Sequence, residues 1–62
     1  MNEDVIQAAK LIAHNYQTRA STIERDLPTL EKLNDPALMQ KVRAVIEALR
    51  AVNTHLYYKL EG

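Results

Sequence analysis

The sequence predicts an all-α protein built as one antiparallel two-helix hairpin, and three observations carry that expectation. Helix-forming residues dominate, Phe and Trp are absent, and Gly occurs once in 62 residues. Two long stretches, about residues 3–33 and 36–60, repeat apolar residues at steps of three and four, which gathers each set on one helix face. Between them Asn34-Asp35-Pro36 is a short turn, so the two helices must lie antiparallel.

The first helix is expected to begin at Asn2 to Asp4. Asn2 is the cap, and Glu3 and Asp4 suit the positive end of the helix dipole. Its apolar positions run Val5, Ala9, Ile12, Tyr16, Ala20, Ile23, Leu27 and Leu30. Two successive steps of four around Tyr16 make a stutter that loosens any supercoil locally. Ile6, Ala13 and Ala20 form a second flank of mostly small residues. Pro28 interrupts the pattern, since inside a helix it removes a backbone bond and clashes with the preceding turn at about 3 kcal/mol. The stripe nevertheless continues through Leu30 and Leu33, which predicts a kink or a break near Pro28 in one long element.

The second helix opens on Asp35 and Pro36, a capping carboxylate followed by a residue whose missing N–H is harmless in the first turn. Its stripe is Leu38, Val42, Val45, Leu49, Val52, Leu56 and Leu60. One register satisfies both stripes. It pairs Leu30 with Val42, Leu27 with Val45, Ile23 with Leu49, Ala20 with Val52, Tyr16 with Leu56 and Ile12 with Leu60. A single seam leaves flanking residues wet, and Met39, Ile46, Tyr57 and the Ala44, Ala48, Ala51 row broaden the apolar surface of helix 2. Such a surface marks a protein interface, so the hairpin is expected to complete its core by dimerising or by docking on a helical partner.

Length and charge narrow the function classes. A chain this short buries only about 60% of its unfolded surface. With no Cys there is neither a disulfide framework nor a thiolate metal site to supplement the core. No apolar run approaches the ~20 residues of a membrane span. The acidic MNEDVIQAAK start lacks the order of a signal peptide, so a cytoplasmic protein is expected. Lys plus Arg equals Asp plus Glu at eight each, which argues against a strong non-specific nucleic-acid binder.

No catalytic or cofactor-binding arrangement emerges. There is no Gly-rich phosphate loop, no Cys nucleophile, no HExxH and no His–Asp partnership for Ser21, and a two-helix protein has little room for a cleft. His14 and His55 come near one another across the hairpin register, but a metal wants further ligands and no carboxylate faces them, so no metal is expected. Lys10, His14, Gln17, Ser21 and Arg25 line a polar stripe of helix 1 able to donate to phosphates or RNA edges. Arg43, Glu47 and Arg50 read as a surface ion-pair row within helix 2. Tyr57 and Tyr58 point about 100° apart, so at least one is expected near the seam with its hydroxyl at the edge. Met39 suits a gap-filler or an adaptable docking surface.

Residues 32–60 add a resemblance. Lys32-Leu33, the Asp35-Pro36 turn, Gln40, Ile46-Glu47 and the late Tyr57-Tyr58 pair resemble the small E-component co-chaperones of bacterial type III secretion needle subunits. That resemblance implies a helical hairpin that binds a larger helical-repeat chaperone and helps hold the needle subunit unpolymerised in the cytoplasm. Asp35 to Leu38 also resembles the turn of the needle subunits themselves, whose long C-terminal helix this chain lacks. Leu30 to Asn34, LEKLN, is similar to a segment of small RNA-binding hairpin dimers that regulate plasmid copy number.

The leading expectation is a non-catalytic, protein-binding adaptor or co-chaperone that contacts its partner through Met39, Ile46, Val52, Leu56 and Tyr57, or through the core beneath them. The alternative is a homodimeric four-helix-bundle regulator binding RNA through Lys10, Gln17 and Arg25. A third is a purely structural, self-associating hairpin. None of the three implies a cofactor, a membrane or a small-molecule substrate.

Overall fold

The computed structural model describes residues 2–61 and shows two helices, α1 over Glu3–Glu31 and α2 over Pro36–Glu61, packed together as a hairpin. Among the described residues there is no strand. At the start of α1 the Asn2 side-chain oxygen accepts the Asp4 amide at 2.7 Å, with Glu3 and Asp4 in the first turn. One otherwise unpaired amide is thereby satisfied, and two carboxylates sit where the helix dipole favours them.

The chain stays helical past Pro28 to Glu31. The proline is exposed, so the Glu24 carbonyl that loses its amide partner faces water, while Leu27 and Leu30 on either side are half-buried in the seam. The turn then tightens. The amides of Lys32, Leu33 and Asn34 donate to the carbonyls of Thr29, Leu30 and Glu31 at 3.2, 3.0 and 3.1 Å, so the last carbonyls of α1 are satisfied by shorter three-residue loops. Asn34 has φ 54°, a left-handed conformation that Asn tolerates better than most residues. The Asp35 carboxylate accepts the Leu38 amide at 3.1 Å, and Pro36 opens α2.

Burial fixes which stripe of each helix makes the seam. On α1 it is Ile6, Ala9, Ala13, Tyr16, Ala20, Ile23, Leu27 and Leu30, and on α2 it is Met39, Val42, Ile46, Leu49, Asn53, Leu56 and Leu60. Both sets alternate strictly between three and four, the heptad of a coiled coil, with no stutter. The expected stripes are therefore shifted by one residue at two positions before Tyr16 on α1 and at every second position of α2 as far as Val52. Val5 and Ile12 give way to Ile6 and Ala13, and Leu38, Val45 and Val52 give way to Met39, Ile46 and Asn53. Leu38 stays half-buried at the seam's edge, whereas Ile12, Val45 and Val52 lie 45%, 48% and 44% exposed.

Two interhelical ion pairs support this phase. Arg43 meets Glu31 and Arg50 meets Glu24, each at 3.0 Å. Neither arginine is paired with Glu47, the partner the sequence suggested, because both lean toward α1. With these pairs as flanking positions, the heptads align Leu30 with Met39, Leu27 with Val42, Ile23 with Ile46, Ala20 with Leu49, Tyr16 with Asn53, Ala13 with Leu56 and Ala9 with Leu60. That register replaces the expected one. It also explains the phase: three alanines of α1 stand opposite leucines of α2, so a small residue admits a large one and the helices approach closely. Ala13 and Ala20 are essentially inaccessible.

The seam is thin. Among the described residues only Ala13, Ala20, Met39 and Ile46 form the buried apolar core, and no large side chain is fully enclosed. Full burial of Ile46 contributes about 2–3 kcal/mol, but few positions reach it. The hairpin is a rod, with Cα extents of 47 × 15 × 11 Å.

Candidate protein-interaction surface

The heptad gives the hairpin two unlike flanks. In an antiparallel pair the residues just after the second seam position of each heptad face one another along one side, and those just before the first face one another along the other. The first side carries Glu24, Glu31, Arg43 and Arg50, closed by the two ion pairs, and continues to Gln17 and Tyr57. The second carries Val5, Ile12, Arg19 and Asp26 on α1 and Leu38, Val45, Val52 and Lys59 on α2. Exposed Ala48 and Ala51 border it, and Ala51, Val52, His55 and Leu56 line a shallow hollow of about 360 Å³ there. One flank is thus polar and bridged, and the other is uncovered, apolar at Val5, Ile12, Leu38, Val45 and Val52 with Arg19, Asp26 and Lys59 set among them.

The five residues expected to contact a protein partner do not share a face. Met39 and Ile46 are 6% and 5% exposed and belong to the hairpin's own seam. Leu56 is half-buried beside them, and only Val52 lies on the apolar flank. Tyr57 is exposed on the opposite, bridged flank, and Tyr58 is more exposed still, on the outer surface of α2. Val5, Ile12, Leu38, Val45 and Val52 are the residues on the apolar flank that belong to the seam stripes expected from sequence. The signal that would have found them is the charge pattern: only in this phase do Glu24 and Glu31 fall opposite Arg50 and Arg43.

Lys10, Gln17 and Arg25 are all exposed. Lys10 and Gln17 follow one another along the bridged flank, and Arg25 turns toward the outer surface of α1. Gln17, Ser21, Arg50, Asn53, Thr54 and Tyr57 surround a hollow of about 330 Å³ on that flank. His14 and His55 are exposed, and their heptad positions put them on opposite sides of the hairpin. Among the described residues no three of His, Cys, Asp and Glu gather where a metal ion would bind. Neither described helix is long and apolar enough to cross a membrane.

Asn53 is the polar residue that sequence reasoning passed over. It occupies a seam position and is 8% exposed. Its amide nitrogen donates to the Ala13 carbonyl at 2.9 Å, while its side-chain oxygen is buried with no hydrogen-bond partner. A polar seam residue fixes helix alignment at an expense in stability, because an apolar residue there leaves nothing unpaired. No family model, curated protein or solved structure matches this chain.

Proposed function

We propose that this protein is a non-catalytic interaction module, a hairpin that docks a helical protein partner along the flank of Val5, Ile12, Val45 and Val52. The observation that supports this reading most is the asymmetry of the two flanks. Valine and isoleucine stand nearly half exposed along one side, while the other side is occupied by ion pairs. Apolar residues on a helix edge next to a thin seam gain most from a third or fourth helix laid alongside. The finer reading is an adaptor or co-chaperone in the cytoplasm, on the resemblance of residues 32–60 to the E-component hairpins. The partner is then a helical-repeat chaperone of a type III secretion needle subunit.

A photo-crosslinking amino acid at Val45, expressed in the source cells, tests this, with Thr18 on the outer surface of α1 as control position. The expected result is one predominant adduct with another protein from Val45 and none from Thr18. Equal labelling at both positions, or none from Val45 but to the chain itself, overturns the adaptor reading.

A further inference from the structure

We infer that, when no other partner is present, a second copy of this chain covers the apolar flank, with α2 packed antiparallel on α2 of the copy and crossing near Ala48. The inference rests on reading that flank as a docking surface and names what occupies it in the free protein.

Area gives the first argument. The hairpin exposes 4988 Å² at a mass of 7.1 kDa. A folded monomer of that mass ordinarily exposes about 4100 Å². The excess, about 900 Å² per chain, is close to the roughly 800 Å² that each partner contributes to a standard stable interface. A rod two helices thick carries this surplus because each helix has only one neighbour, and a second hairpin laid against it removes the surplus without any change of fold.

Symmetry gives the second. The outer face of α2 carries Lys41, Val45, Ala48, Val52 and His55. Between Lys41 and His55 it bears no charge, since Arg43 and Arg50 are drawn to the opposite flank by Glu31 and Glu24. Val45 and Val52 lie three residues before and four after Ala48, and Lys41 and His55 lie seven on either side. A two-fold axis through Ala48 therefore maps this face onto itself, as an isologous interface requires. Valines of one copy meet small residues of the other, repeating the fit of alanine against leucine inside the hairpin. Lys41 and His55 fall at the two rims, where their polar ends reach water. Ile12 stands opposite Val52 on the same flank and extends the contact onto α1, while Arg19 stands opposite Val45 and Asp26 opposite Leu38, so the α1 edge of the contact is polar toward the turn.

Sedimentation equilibrium of the purified chain, with the Val45→Glu/Val52→Glu variant beside it, tests the inference. The wild type is expected to dimerise. The variant is expected to keep its helical circular dichroism, because both positions are exposed in the hairpin, while its dimer dissociation constant rises about a hundredfold or more from burying four carboxylates across one contact. A mixture of Lys41→Cys and His55→Cys chains, oxidised together, reports the direction. The native sequence has no Cys, so each chain carries one thiol. Antiparallel packing about Ala48 favours the mixed disulfide over either symmetric one. A wild type that stays monomeric at millimolar concentration, a variant that dimerises as well as wild type, or a preference for symmetric disulfides overturns the inference. A monomer that still gives a heterologous adduct from Val45 rejects the second copy and keeps the adaptor reading. A confirmed dimer whose Val45 reacts only with itself does the reverse.

Discussion

Replacing Asn53 by Leu should stabilise the hairpin, although it removes one of its few interhelical hydrogen bonds. The lost bond to the Ala13 carbonyl is worth about 1 kcal/mol, and that carbonyl lies mid-helix, where its own i+4 amide remains available. Against the loss stand two gains. The orphaned side-chain oxygen disappears, relieving about 1–3 kcal/mol of unpaid desolvation. A leucine of similar shape in a site 8% exposed then contributes about 2 kcal/mol of apolar burial. The net gain is about 2 kcal/mol or more, and in a chain this small that raises Tm by about 10 °C. Thermal and urea unfolding followed by circular dichroism measure it. Wild type and variant must be compared at one chain concentration, because an associating hairpin melts later when it is more concentrated. Asn53→Asp is the control. It puts a carboxylate beside the Ala13 carbonyl and should destabilise by about 3 kcal/mol. If Asn53→Leu melts at or below the wild-type temperature, the buried oxygen has a partner in solution and the reasoning fails.

Four smaller predictions follow from the turn and the bridged flank. Asp35→Ala removes the cap on the Leu38 amide and should lower unfolding free energy by about 1 kcal/mol in urea titrations. At Asn34 the left-handed φ predicts that Ala lowers Tm while Gly leaves it unchanged or higher, a difference of about 1 kcal/mol between the two variants. A double-mutant cycle on Glu24 and Arg50 should give a coupling below about 1 kcal/mol that vanishes in 1 M salt, since both side chains are about half exposed; a salt-insensitive coupling would contradict it. Pro28→Ala restores an amide donor toward Glu24 and a better helix former, and should raise Tm with little change in the far-ultraviolet spectrum.

Much of the architecture was legible in the sequence. The Asn34-Asp35-Pro36 turn, the Asn2 and Asp35 caps and the pairing of two amphipathic helices all follow from local chemistry that acts within a few residues. The phase of the seam was not legible from hydrophobicity. Val5 and Ile12 are as apolar as Ile6 and Ala13, and Val45 and Val52 outrank Asn53, so the greasiest stripe pointed one residue away from the buried one. Two effects that hydrophobicity does not weigh decided the matter: the volume match of Ala9, Ala13 and Ala20 to Leu60, Leu56 and Leu49, and the reach of Arg43 and Arg50 to glutamates on the other helix. The same shift decides between surface and underlying core for Met39 and Ile46, which belong to the core that closes the hairpin's own seam.

The Glu31–Arg43 pair and the turn lie at one end of the rod, the Glu24–Arg50 pair stands near its middle, and Glu3 and Glu61 lie at the other end, with the Asn53 layer between. A load applied between the free ends of α1 and α2 therefore acts across the seam and peels it open one layer at a time. The layers that set Ala9 and Ala13 against Leu60 and Leu56, and then the Asn53 layer, part first, under little tension, and the Ile23–Ile46, Leu27–Val42 and Leu30–Met39 layers with their flanking charges part last. Pulled this way, the molecule yields gradually from its free end, and the force rises as the tear approaches the bend. A load shared along both helices by a bound neighbour would instead strain every layer at once, so the same hairpin is soft when tugged by its ends and stiff when gripped along its side.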